Sequence, residues 1–214
     1  MKTNSTLFVR AMRIIRYTDT HMKQDSLITL PNPHLRQISK KVGYIDEEIQ
    51  ELIKRMEAIT LDWESSREHE VSVALAAIQI DAPIRIVIIR NDFDNKKDKT
   101  FHALLNPTIT KYEGDIIEDF EGCLSITDLY GKVPRYAKVR VKALDITGNE
   151  IRFSATGFLA RVLQHEIDHT HGKLFVDHIK DSPSAFYELN SEGILQQLDY
   201  AKDIQRSKIL WGAS

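Results

Sequence analysis

Two histidines four residues apart, His165 and His169, constrain this chain more than any other feature. They lie in the run Gln164-His165-Glu166-Ile167-Asp168-His169. In an α-helix that spacing puts both rings on one face, one turn apart. The surrounding residues predict a helix over 157–171, with a stripe of Phe158, Val162, His165 and His169 and with Gly172 as its cap. The histidines continue an apolar stripe, so they are expected to face inward, where an unpaired imidazole is costly. Two such rings can share one metal ion. Glu166 is rotated by about 100° from His165. It can therefore lie beside a metal without ligating it, and take a proton from water.

A metal site needs a third ligand, and three positions compete for it. In the pattern H-E-x-x-H-x-x-G-x-x-H, Gly172 fits but Phe175 stands where the last histidine belongs. Glu188 is a downstream carboxylate of a kind that completes other such sites. Cys123 lies upstream in Glu121-Gly122-Cys123-Leu124-Ser125. A lone cysteine usually acts as a small buried apolar residue. Yet Gly122 permits close backbone approach, and a thiolate binds divalent cations well. The spacing alone leaves Cys123 and Glu188 both open.

Composition sets the class. The chain has 214 residues, enough for one sizeable core. It carries 29 basic and 31 acidic residues, so nothing pulls it globally toward nucleic acid or anionic membrane. No apolar run approaches the roughly 20 residues of a membrane helix. A single cysteine excludes an internal disulfide framework and fits a reducing compartment. Residues 1–18 hold Lys2, Arg10, Arg13 and Arg16 without an acidic residue. We read residues 1–24 as a basic extension and 25–214 as one domain. The location expected is cytoplasmic; a loose likeness of the extension to a transit peptide keeps an organelle open.

Leu30-Pro31-Asn32-Pro33 is turn chemistry that opens the domain. Asp46 precedes a helical pattern carried by Ile49, Leu52, Ile53, Met56 and Ile59, and a loop is expected over 61–70. Residues 73–80 form an apolar run, and 84–89 read as a buried strand. Two further strands are expected near 101–105 and 115–120, and a hairpin over 137–145 and 150–155. Asp181-Ser182-Pro183 reads as the start of another helix, with helix continuing toward the C-terminus. The fold class is α+β: one domain, antiparallel or mixed sheet around the central helix at 157–171, and a C-terminal helix.

Three segments carry a resemblance. Ser72–Gln79 (S-V-A-L-A-A-I-Q), Glu121–Ser125 (E-G-C-L-S) and Gln164–His169 (Q-H-E-I-D-H) resemble the motifs of the peptide deformylases, roughly G-x-G-L-A-A-x-Q, E-G-C-L-S and Q-H-E-x-D-H, in the same order. The likeness runs over about 27–180 and includes Pro31–Arg36, Asn106-Pro107, Val133–Arg135 and Gly172–Asp177. It implies a metal held by Cys123, His165 and His169, with water in the fourth position. It implies Glu166 as general base and then acid, with Gln79 and the backbone N–H of Leu124 stabilising an oxyanion. Val73, Ala74, Glu121, Gly122 and Tyr130 would line the substrate groove. The activity implied is hydrolysis of the formyl group from N-formylmethionyl peptides or nascent chains, with release of formate. The cofactor implied is one divalent ion, Fe²⁺ by family habit, with Zn²⁺, Ni²⁺ or Co²⁺ as substitutes. A transient ribosome contact could involve Arg13 and Arg16; no membrane and no sequence-specific nucleic acid is expected.

The chain departs from the family at several positions. Ser72 and Ala74 replace two glycines, and Ile78 stands where Pro or Thr is common. If the backbone at Ala74 needed a positive φ, the methyl would bring strain. Thr127 replaces a proline, and Tyr130 stands where the family often has arginine. Asp168 could bond a ligand imidazole or pair with Arg161. His171 and His178 read as polar surface residues. Two rival functions remain: a zinc endopeptidase using Glu188, and a degenerate paralogue that binds such peptides without turnover.

Overall fold

The computed structural model describes residues 27–67, 70–190 and 192–212. The basic extension at 1–24 lies outside them. Seven strands form one antiparallel sheet: β1 (Ala74–Ala76), β2 (Ile86–Arg90), β3 (Phe101–Cys123), β4 (Ile126–Leu144), β5 (Glu150–Thr156), β6 (Phe186–Leu189) and β7 (Leu195–Gln197). Their order is β1-β2-β3-β4-β6-β7, and β5 also pairs with β4. β4 is long enough to take β6 against Leu129–Gly131 and β5 against Lys138–Leu144.

Helix α1 (Glu47–Ser65) begins where the Asp46 side chain accepts the Ile49 N–H at 3.0 Å. Its apolar face, with Ile53, Met56 and Ile59, meets Leu75, Ile86, Ile88 and Phe101 on one side of the sheet. Helix α2 (Gly157–His169) packs on the other side, where Val162, Leu163 and Ile167 meet Ala74, Val87, Ile89 and Val139. Strand β2 is thus covered on both faces, which is why Ile-Val-Ile-Ile reads as an unbroken apolar run. A third cluster forms around Phe175, Val176, Ile179 and Phe186, with Ile126 and Val133 of β4.

Several expectations are corrected. Residues 61–65 continue α1 rather than forming a loop. The run 73–80 divides into β1 and a single 3₁₀ turn, Ala77–Ile80. The strands expected near 101–105 and 115–120 are one strand, β3, interrupted by register shifts. Its middle part is exposed on both faces, so no burial pattern marks it in the sequence. Asp181-Ser182-Pro183 starts no helix; a turn there leads into β6. The C-terminal segment forms β7, a short π turn at Tyr200–Ile204 and one helical turn, α3 (Lys208–Trp211). Phe158 is 52% exposed, because it lies at the start of α2 before the helix enters the core.

Candidate metal centre and active-site cavity

Three donors converge at the end of the β3–β4 ladder. Cys123 closes β3 and faces α2, where His165 and His169 stand one turn apart. One ligand atom from each residue lies within 4.8 Å of the others. Cys123 Sγ is 3.3 Å from His169 Nε2. A thiol and two imidazoles, with no fourth side-chain donor grouped with them among the described residues, suit a divalent ion with an open position. Glu188 is not among these donors. It sits on β6 opposite Leu129, and faces a separate groove beside Thr29, Ser125 and Lys202.

Glu121 holds the first imidazole. The His165 Nδ1–H donates to Glu121 Oε2 at 3.0 Å, because a carboxylate can only accept. That bond fixes the tautomer and leaves Nε2 with its lone pair for a metal. The same carboxylate accepts two bonds from Arg135, at 2.9 and 3.1 Å, and one from Arg161 at 2.8 Å. Burial opposes its ionisation, but the hydrogen bonds from His165 and Arg135 and the Arg135 charge outweigh burial and hold its pKa at about 2. Glu121 is thus a permanent anion whose oxygens are taken by these partners, although it lies along the cavity wall. Asp168 bonds neither ligand imidazole nor Arg161. It accepts from Arg135 at 2.5 Å and pairs with His178 at 2.7 Å. His178 is exposed apart from its contacts with Asp168 and Arg135, and His171 is exposed as expected.

A cavity of about 300 Å³ opens beside this centre. Val73, Ala74, Gln79, Gly122, Cys123, Leu124, Tyr130, His165 and Glu166 all lie on its wall. Glu166 is buried, its Oε2 has no hydrogen-bond partner, and burial pushes its pKa up to about 7. His169 Nδ1 is likewise buried without a partner. Gln79 is oriented by its own loop. Its Oε1 accepts the Ala76 N–H at 2.9 Å, which turns the NH₂ group toward Ser125 Oγ at 3.2 Å and Cys123 Sγ at 3.5 Å. An amide donor is thereby aimed at the metal centre.

The altered first motif causes no strain. Ala74 sits in β1, opposite Ile89, and is not among the residues with positive φ, which are Asp81, Asn106 and Asp128 apart from glycines. Gly122 is needed for a different reason. A Cβ there would stand 2.6 Å from the ring of Tyr130 on the paired strand. Tyr130 in turn donates its hydroxyl to Glu70 at 2.5 Å. Sequence reasoning did not assign the roles of Arg135 and Glu70; the contacts that bring them to the site, with Glu121 and Asp168 for Arg135 and with Tyr130 for Glu70, join residues distant in the chain.

A family model of polypeptide deformylases matches residues 24–184. The chain belongs to the peptide deformylase family. It is therefore an enzyme of the deformylase class. A peptide deformylase of Thermomicrobium roseum is 40% identical over 165 residues, which is 76% of this chain and 89% of that protein. One of Mesorhizobium japonicum is 43% identical over 155 residues, 72% of this chain and 82% of its own length. Among solved structures, a deformylase of Legionella pneumophila is 39% identical, with a TM-score of 0.63 over 71% of this chain and 83% of that one. A deformylase of Synechococcus elongatus, solved with actinonin, is 34% identical with a TM-score of 0.64, over 71% and 78% of the two chains.

Proposed function

We propose that this deformylase hydrolyses the formyl group from the N-terminal methionine of newly made polypeptides. The observation that carries the reading is the Cys123, His165 and His169 cluster beside the buried Glu166, in a cavity open to a peptide end. Cys123 Sγ, His165 Nε2 and His169 Nε2 would hold one divalent ion. A divalent cation bound there supplies Lewis acidity toward water and the formyl oxygen. Fe²⁺ is the expected native ion, with Zn²⁺, Ni²⁺ or Co²⁺ as substitutes.

The protein's own groups handle protons and charge. Glu166 takes the proton of the attacking water and returns it to the departing methionine nitrogen. Attack places negative charge on the formyl oxygen. The Gln79 NH₂ and the Leu124 N–H donate to it, and one such donor is worth about 3–4 kcal/mol. Glu121 keeps His165 in one tautomer throughout. Val73, Ala74 and Gly122 shape the groove for the peptide. The catalytic unit is read as residues 25–214, acting where nascent chains are made; any ribosome contact through Arg13 and Arg16 lies outside the described residues.

The test is formate release from N-formyl-Met tripeptides, run without oxygen on protein loaded separately with Fe²⁺, Ni²⁺ or Zn²⁺. Release is expected for the wild type and lost in Glu166→Ala. A degenerate, binding-only paralogue would bind peptide and metal yet release no formate with any ion. A peptidase using Glu188 would keep metal and activity in Cys123→Ser.

A further inference from the structure

Strand β4 carries a second surface, on the side turned away from α2 and its histidines. Val139, Val141 and Ala143 point inward to α2, so Lys138, Arg140 and Lys142 share the opposite, solvent-facing side. The register places Lys111 of β3 directly opposite Arg140, and Arg152 of β5 directly opposite Lys142. Like charges at opposed positions destabilise a sheet. Two carboxylates relieve them in part. Glu113 pairs with Arg140 at 2.7 Å, Lys111 at 3.1 Å and Lys138 at 3.8 Å. Glu150 pairs with Lys142 at 2.6 Å and Arg152 at 2.7 Å. Five cations thus share two anions, and the cationic side chains stay 41–68% exposed. Asp115, Glu118 and Asp119 lie further along β3, beyond the stretch paired with Lys138, and border the face at that end. A chain of net charge −2 therefore gathers a positive excess on one sheet face.

Same-face neighbours on a strand stand about 6.8 Å apart. Lys138, Arg140 and Lys142 therefore form a row of charges at about the step between successive phosphates of a nucleic-acid strand. The neutral positions paired with this row are hydroxyls: Thr108 on β3, and Ser154 and Thr156 on β5, all exposed. No aromatic ring stands among them on which an unpaired base could stack. No large apolar side chain stands there to enter a lipid layer. A flat sheet face of cations and hydroxyls suits the wide, shallow minor groove of an RNA duplex, where phosphates and 2′-hydroxyls are both within reach.

We propose that the outer face of β3, β4 and β5, through Lys138, Arg140, Lys142 and Arg152, binds the phosphate backbone of double-stranded RNA without regard to sequence. Its contacts are charge-assisted and weaken as salt rises. The face lies apart from the active-site cavity, so the inference goes beyond the deformylase reading and does not depend on it.

The experiment measures fluorescence anisotropy of a labelled RNA duplex of about 20 base pairs titrated with the full chain, between about 50 and 200 mM salt. Affinity is expected to fall with salt, and duplexes of unrelated sequence to bind alike. Lys142→Gln combined with Arg152→Gln should weaken binding by about 10- to 100-fold at the lower salt, and reduce the slope of log affinity against log salt by about 2. Glu150→Gln frees the same two cations and should tighten binding. A general loosening of the hairpin would not move affinity in opposite directions. Absence of binding at the lower salt overturns the proposal, as does binding that neither variant shifts, which would place the RNA on other cations such as those of the basic extension. Equal affinity for a DNA duplex of the same sequence, or binding to phosphatidylserine vesicles in place of RNA, overturns it as well.

Discussion

Glu57 lies on the inner face of α1, 1% exposed, and its Oε1 has no hydrogen-bond partner. Burial pushes its pKa up to about 8, against a modest opposing pull from Lys54. Below its ordinary pKa of 4.5 the carboxyl is protonated in both folded and unfolded chains. As pH rises, the unfolded chain releases the proton first, so stability falls until the folded pKa is passed. Glu57→Gln keeps the shape and removes the charge. The variant should be more stable than wild type by about 4 kcal/mol at pH 8, with the difference vanishing toward pH 4.5. Urea unfolding across that pH range reads it directly. An equal stability gap at all pH values would count against the account.

At the scale of elements, the joint between α2 and the segment after it depends on one residue. Gly172 has φ 71°, and a Cβ there would stand 2.3 Å from the Arg36 carbonyl oxygen. Gly172→Ala therefore brings both backbone strain and a clash with a main chain that cannot swing aside. A loss of about 3 kcal/mol is expected in denaturant unfolding. Glu121 is the second joint, tying β3 to Arg135 of β4 and to Arg161 and His165 of α2. Glu121→Gln leaves two buried guanidiniums short of an anion and frees the imidazole. We expect metal affinity to fall by about 10- to 100-fold in chelator competition, with a stability loss of about 3 kcal/mol.

The elements that the sequence made legible are those buried on a defined face. Helix α1 was marked by Asp46 and its apolar stripe, and α2 by its two histidines and Gly172. The β4–β5 hairpin was marked by alternation and by Thr147-Gly148-Asn149. The middle of β3 was hidden because both its faces meet solvent. The segment before β6 misled because Asp-Ser-Pro opens turns and helices alike. At the site, the two histidines were plain from spacing. Cys123 over Glu188 needed either the family likeness or the fold, since the strand pairing that separates them is not local.

At the scale of the whole molecule, the two halves of the core meet across the sheet, and the candidate metal centre sits where β3, β4 and α2 converge. Metal binding should therefore stabilise the global fold, because the unfolded chain cannot hold three separated donors together. Chelation should lower the Tm of the wild type, by the equivalent of about 2.7 kcal/mol if the metal had been present at a hundred times its Kd. Cys123→Ser should show a smaller drop on chelation. An identical drop in both proteins would argue that the thiol is not a ligand. Among the described residues no helix is long and apolar enough to cross a membrane.

The β3–β4 ladder also has a consequence in time. β3, β4, β5 and α2 follow one another without interruption, and each packs on its neighbour in the chain. All three candidate metal donors fall within this contiguous stretch, whereas Gln79 arrives from the far side of β2. Short connections close quickly and distant ones slowly. The ladder and helix can thus assemble from nearby pieces, and the Gln79 amide joins only when β1 docks at the sheet edge. A chain emerging from synthesis would be able to capture its ion as soon as α2 folds back on the ladder, without waiting for its C-terminal strands.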